Sequence, residues 1–189
     1  MSRILVIFGT TEGHTAKVAE RLGGQLRLQG HATDVVEAGD GTTINPDEYD
    51  AVIVAASVHA GAYQREVVRW VSAHAAALNR KPTAFASVCL GVLQHDPGVD
   101  RDLRAIVEAF FRSTGWRPLA TAIVAGALQY TRYNFVKRWV MKRIARKAGG
   151  DTDTTRDYEY TDWADLRSFA DRFSHQLHTV PVVKTRSQT

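Results

Sequence analysis

The run Ile4-Leu5-Val6-Ile7 is followed at once by Phe8-Gly9-Thr10-Thr11-Glu12-Gly13-His14-Thr15, and no other stretch constrains the chain so tightly. A short apolar run bounded by a glycine turn reads as a buried strand. Beyond it Thr15, Val18, Ala19, Leu22 and Leu26 recur at helical spacing on one face. A strand, a hydroxyl-rich turn and a helix are thus set down within the first turns of chain. The N-terminus of such a helix exposes unpaired N–H groups and the positive end of the macrodipole, which favours a phosphate. Thr10 and Thr15 offer hydroxyl donors, Gly13 permits close backbone approach, and Thr11, Glu12 and His14 complete the turn. The turn has neither the G-x-x-x-x-G-K-S/T of a triphosphate loop nor the G-x-G-x-x-G of a dinucleotide fold, and it contains no lysine. It suits one monoester phosphate, and flavin mononucleotide (FMN) is the leading ligand for it. The competing reading is an ordinary strand-to-helix turn capped by Thr10 or Thr11. Glu12 would repel a phosphate unless it points outward or bonds the ribityl hydroxyls.

Further along, short apolar runs alternate with helical patterns, as in a parallel sheet covered on both faces. Strands are expected at Ile4–Phe8, Thr33–Val36, Ala51–Ala56, Thr83–Leu90 and Ala120–Ala125, in the order 2-1-3-4-5. Helices are expected near Thr15–Gln29, Arg65–Leu78 and Arg101–Ser113. The polar connection Glu37–Asp50 predicts no long helix. After Ala125 a basic helical stretch runs to about Ala148 and should stop at Gly149-Gly150. A polar loop, Asp151–Tyr160, then leads to a last helix capped by Thr161 or Asp162, with Trp163, Leu166, Phe169, Phe173 and Leu177 as its docking stripe. Residues 1–178 therefore read as one domain with an insertion at 126–160, and residues 179–189 as a flexible tail.

Composition bounds the function classes. The single cysteine, Cys89, excludes an internal disulfide, and no cysteine or histidine cluster suggests a metal; His175 and His178 make a poor site alone. The chain enters a strand without room for a signal peptide, and no apolar stretch approaches a membrane span, so the cytoplasm is the expected compartment. The net charge of +4 is unevenly placed. Between Glu108 and Asp151 there are nine basic residues and no acidic one, and the remaining 15 of the 24 basic side chains meet 20 acidic ones. A mildly acidic body carrying one basic element points to a negatively charged partner.

Ligands of parallel sheets bind at the carboxyl ends of strands, which brings two further loops to the first. In the second, Ser57, Val58, His59, Ala60 and Gly61 are small enough for a flat ring to approach, and Tyr63 is placed to stack on it or on a second aromatic ligand. A flexible Gly/Ala turn with a surface tyrosine competes with this reading. The third wall is Val88, Cys89, Leu90 and Gly91, where a lone strand cysteine reads as a small buried hydrophobe. Within the basic stretch Tyr133, Val136, Val140 and Ile144 form one stripe, with Phe135 and Trp139 beside it and Lys137, Arg138, Lys142 and Arg146 opposite. Three readings stand: a packed helix with a solvated basic face, attachment to anionic lipid, or recognition of a carboxylated substrate. Without a base-reading motif, nucleic-acid binding is disfavoured.

The chain resembles the flavodoxin-like, menaquinone-dependent protoporphyrinogen IX dehydrogenases from Ile4 to about Phe173. The likeness rests on Thr10–Thr15, on Ala56-Ser57 with Gly61 and Tyr63, and on Trp116-Arg117-Pro118. More specific are Ala125-Gly126-Ala127-Leu128 with Tyr130, Arg132 and Tyr133, then Gly149-Gly150 with Thr152-Asp153-Thr154, and Tyr160-Thr161-Asp162-Trp163. The resemblance implies a flavodoxin-like three-layer sandwich and FMN held by the three loops. It implies oxidation of a porphyrinogen beside the cytoplasmic face of a membrane, with a quinone as electron acceptor. Tyr130, Arg132 and Arg138 would then serve the substrate, the arginines its propionates; no catalytic acid or base is identified. Where the family's second loop commonly carries a basic and an aromatic residue, this chain has His59 and Ala60. Two other classes stay open: an electron-carrying flavodoxin docking to a redox partner, and a quinone reductase using NAD(P)H.

Overall fold

The computed structural model describes residues 1–39, 43–94, 96–132, 135, 139, 142, 143, 145, 146 and 151–179. Five parallel strands, β1 (Arg3–Gly9), β2 (Ala32–Glu37), β3 (Ala51–Ser57), β4 (Thr83–Cys89) and β5 (Ala120–Ala125), form a sheet in the order β2-β1-β3-β4-β5. Helices α1 (His14–Leu28) and α4 (Trp163–Thr179) share one hydrophobic core, and α2 (Arg65–Leu78) and α3 (Pro97–Thr114) the other. The expected strand order and three-layer architecture are those observed.

Alternation along the central strands feeds the two cores. Ile4, Val6 and Phe8 of β1 join Val18, Leu22 and Leu26 of α1 with Phe169 and Phe173 of α4. Leu5 and Ile7 join Val67, Trp70 and Val71 of α2 with Phe110 of α3 and Trp116. Both faces of β1, β3 and β4 are covered, so their sequences are nearly unbroken apolar runs. Trp116 is fully buried, and its indole N–H donates to Thr83 Oγ1 at 3.0 Å, which satisfies the one polar atom of that ring.

Several boundaries differ from expectation. Helix α3 begins at Pro97, ahead of the expected Arg101, because Asp96 Oδ1 accepts the N–H groups of Gly98 and Val99 and proline occupies the first turn. Asp-Pro-Gly reads as a loop, yet here it starts a helix. Asp162, one of the two expected caps, accepts the N–H groups of Ala164 and Asp165 and opens α4. The supposed polar loop before α4 contains β7 (Tyr158–Glu159), which pairs antiparallel with β6 (Ala127–Leu128). This ribbon ties both ends of the basic segment to the body. Leu128, Tyr130 and Ala145 form a small core of its own, with Leu90, Tyr158 and Tyr160 against it. The expected Gly149-Gly150 stop and nearly all of the expected tail lie outside the described residues.

Candidate functional site

The loops leaving β1, β3 and β4 converge at the carboxyl edge of the sheet, beside the switch in strand order between β1 and β3. A cavity of about 260 Å³ lies between them. Thr10, Glu12, His14 and Thr15 wall it on the first loop, Ser57, Val58, His59 and Ala60 on the second, and Val88, Cys89, Leu90 and Gly91 on the third. Thr11, Gly13 and Gly61, expected with them, lie outside the wall. Leu103 of α3 and Gly126 and Ala127, where β5 passes into β6, complete it. Only the Ala125–Leu128 motif signalled any of these three in the sequence.

The first loop turns into α1 through Gly13, whose φ of 90° an L side chain rarely adopts. Thr10 Oγ1 accepts the Gly13 N–H at 2.9 Å, so this hydroxyl stabilises the turn while its own hydrogen remains to be donated. The capping reading and the ligand reading therefore coexist in one residue. The second loop is not a slack Gly/Ala turn. His59 and Ala62 exchange backbone hydrogen bonds of 2.8 and 3.0 Å, and Ala60 (φ 49°) with Gly61 (φ 80°) supplies the two left-handed residues of a tight primed turn.

Gln64, just ahead of α2, gave no sequence signal. Its carboxamide turns away from its own helix: Oε1 accepts the Ser57 N–H at 3.3 Å, while Nε2 donates to Ser57 Oγ at 2.6 Å and to Thr11 Oγ1 at 3.2 Å. It thereby joins the first loop to the second. Gly9 makes room for this, since a Cβ there would lie 2.4 Å from Val67 Cγ2 and 3.2 Å from Gln64 Cβ.

His14 links the cavity to the last third of the chain. Its Nε2 lies 2.7 Å from Thr161 Oγ1, and the Thr161 hydroxyl donates to the Ala125 carbonyl at 2.6 Å. That hydroxyl proton is spent on the carbonyl, so the ring must donate from Nε2, and Nδ1 faces Glu159 Oε2 at 3.9 Å. Burial lowers the His14 pKa below 6.5, opposed by Glu159 and reinforced by Lys17. At Glu159 burial alone would raise the carboxyl, but bonds from Lys17 and Trp163 outweigh it and hold it below the ordinary value. At Cys89 burial raises the thiol, with backbone bonds from Val92 and Gly91 opposing; it stays protonated and unreactive, the hydrophobe expected of it.

Two expected substrate residues are placed elsewhere. Tyr63 is 7% exposed, packs edge-on against Phe85 with ring centres 5.2 Å apart, and shares a 2.8 Å hydrogen bond with Ser87. Burial pushes its phenol up to about 12. It belongs to the α2–α3 core because β4 supplies a polar partner for its hydroxyl there. Tyr130 is wholly buried and donates to the Asp151 carbonyl at 2.9 Å, anchoring the basic segment rather than facing a ligand. The Arg132 side chain and all of Arg138 lie outside the described residues. Among those described, no group of three His, Cys, Asp or Glu is placed to hold a metal ion.

A family model for the flavodoxin domain matches residues 5–155. Protoporphyrinogen IX dehydrogenase (quinone) of Escherichia coli strain K12 is 32% identical over 182 residues, covering 96% of this chain and 99% of that one. The Leishmania major protein of the same name is 32% identical over 180 residues, covering 95% of this chain and 78% of its own. The chain belongs to the protoporphyrinogen IX dehydrogenase family of flavodoxin-domain proteins. Among solved structures, oxidised flavodoxin 1 of Bacillus cereus superposes with a TM-score of 0.56 at 16% identity, over 92% of this chain and 98% of that one. The apo form of the NADH:FMN oxidoreductase EmoB superposes with 0.57 at 14%, over 96% and 92%. At such identities these two speak for the fold. β6 and β7 form a two-stranded sheet of their own beside the five-stranded one.

Proposed function

We propose that this protein is an FMN-dependent oxidoreductase that takes hydrogen from protoporphyrinogen IX and passes the electrons to a quinone. The observation that carries the reading is the end-to-end match to the Escherichia coli protein, which includes the segment between β5 and α4 as well as the three loops. The cavity suits the cofactor. Thr10, Thr15 and the first N–H groups of α1 form a donor set for one phosphate, and among the described residues no lysine or arginine stands in the wall. Val58, Ala60, Val88, Leu90 and Ala127 give the apolar sides a flat ring needs, with Ser57 for its polar edge. When bound, FMN supplies a ring that accepts two electrons as a hydride, and the protein's part is to hold the substrate against it and exclude competing reactions. The substrate's propionates are assigned to Arg132 and Arg138; Tyr63 and Tyr130, both buried, have no part in this assignment.

The same reading places the working protein against an anionic membrane. No described helix is long and apolar enough to cross one. Phe135 is 84% and Trp139 59% exposed, and the exposed Arg143 and Arg146 accompany them in the same helical stretch. Apolar rings beside guanidinium groups suit the boundary between headgroups and acyl chains.

The test is an anaerobic titration of FMN-loaded protein. Protoporphyrinogen should bleach the flavin absorbance, and an added quinone should restore it. If porphyrinogen leaves the flavin oxidised while NADPH or a reduced protein partner bleaches it, the NAD(P)H:quinone reductase or electron-carrier reading takes its place.

A further inference from the structure

We propose that Gln64 is a positioning residue that sets the hydrogen-bond polarity of the cofactor cavity, so that the Ser57 hydroxyl in its wall faces a ligand as a donor. The proposal rests on the FMN reading of the same cavity and names a residue which that reading does not use.

The Ser57 N–H can only donate, so the Gln64 atom 3.3 Å away must be the oxygen. That fixes the orientation of the amide. Its two N–H groups are then both used, one on Ser57 Oγ at 2.6 Å and one on Thr11 Oγ1 at 3.2 Å. Each hydroxyl has received a proton from the protein, so the proton of its own must go to something else. Thr10 is in the same condition by a different route, because its oxygen accepts the Gly13 N–H. Of these three hydroxyls, Ser57 and Thr10 stand in the cavity wall, and each has taken a proton from within the protein and keeps its own to give. Such a site is matched to a ligand edge of acceptors, such as phosphate oxygens and carbonyls.

Position favours the same conclusion. Gln64 stands where a helix N-cap stands, but glutamine is not among the favoured caps and this one makes no cap bond to α2. Its side chain serves the loops instead. The approach of α2 to β1 at Gly9 holds it within reach of both.

Two variants separate this role from that of a brace between loops. Q64E keeps the shape and the bond from the Ser57 N–H, but a carboxylate donates nothing, so Ser57 would turn its hydrogen toward it and away from the ligand. Q64L removes the bonds and leaves the hydroxyls free to rotate. FMN affinity, read by flavin fluorescence on folded protein with unchanged circular dichroism, should fall in both variants. The fall should be larger in Q64E, by roughly tenfold or more against wild type, as one or two charge-assisted bonds would give. The Q64E deficit should shrink relative to wild type as pH is lowered toward the ordinary glutamate value of about 4.3, where the protonated carboxyl regains a donor. A brace predicts the opposite order, with Q64L the worse. Equal affinity of Q64E and wild type, a worse Q64L, or a deficit insensitive to pH would each overturn the proposal. Failure of wild type itself to bind FMN would instead bring down the cofactor reading, and this proposal with it.

Discussion

Hydroxyls in the cavity matter for the proton each has left to give, and that is testable one residue at a time. Thr10 and Thr15 stand in the cavity wall, Thr15 buried in the first turn of α1. Changing both to Ala should weaken FMN binding roughly tenfold or more, at about 1 kcal/mol per lost bond, while riboflavin, which lacks the phosphate, loses less. Fluorescence titration of the two flavins decides it, and an unchanged FMN affinity removes these threonines from the site. His14 makes a second case. Burial holds its folded pKa below 6.5, so the unfolded chain binds this proton more readily than the folded one. The associated stability is complete above that value and declines as pH falls toward the folded pKa. Wild type should therefore lose melting temperature more steeply than H14Q on acidification, since Gln retains a donor for Thr161 without titrating. Parallel melting curves between about pH 7 and 5 would remove His14 as the source. Thr10 and Thr15 were legible as cavity residues because their turn joins a buried strand to a helix at the carboxyl edge of the sheet. Tyr63 was misread because an aromatic beside small residues stacks on a ligand or on a core equally well, and only the position of Ser87 and Phe85 decides. Gln64 was silent because its role depends on two loops far apart in sequence.

Elements were readable in proportion to their length and burial. The central strands announced themselves as apolar runs, and Arg65–Leu78 was found with both ends correct because its apolar residues keep one helical phase. Two-residue strands such as β6 and β7 carry no periodicity, so their pairing was invisible. At Gly9 the closeness of β1 and α2 makes a prediction. An added methyl would sit 2.4 Å from Val67 Cγ2, and G9A should destabilise the protein by about 1–3 kcal/mol, as overpacked cores do. In the double variant G9A/V67A the two costs should sum to less than their separate values, because the space vacated by one is filled by the other. Urea unfolding of the four proteins measures this, and strict additivity would mean that the strand and helix had moved apart instead.

At the scale of the whole molecule, charge and shape are divided between a mildly acidic body and a basic segment held to it by the β6–β7 ribbon. Replacing Phe135 and Trp139 by Ala, and Lys142 and Arg146 by Gln, should sharply reduce cosedimentation with vesicles rich in anionic lipid. Added salt should diminish wild-type binding in the same assay, by screening the basic residues. Undiminished binding of the fourfold variant would end the membrane reading. The division of the two cores has a consequence for how the protein is made. β3 is the middle strand of the sheet, and the core on the face it shares with β1 is built by α1 together with α4, which leaves the ribosome long after them. Until Phe169 and Phe173 arrive, the nascent chain holds that core only partly assembled. During synthesis such a chain depends on chaperones, and premature termination before α4 should yield insoluble product rather than a smaller working domain.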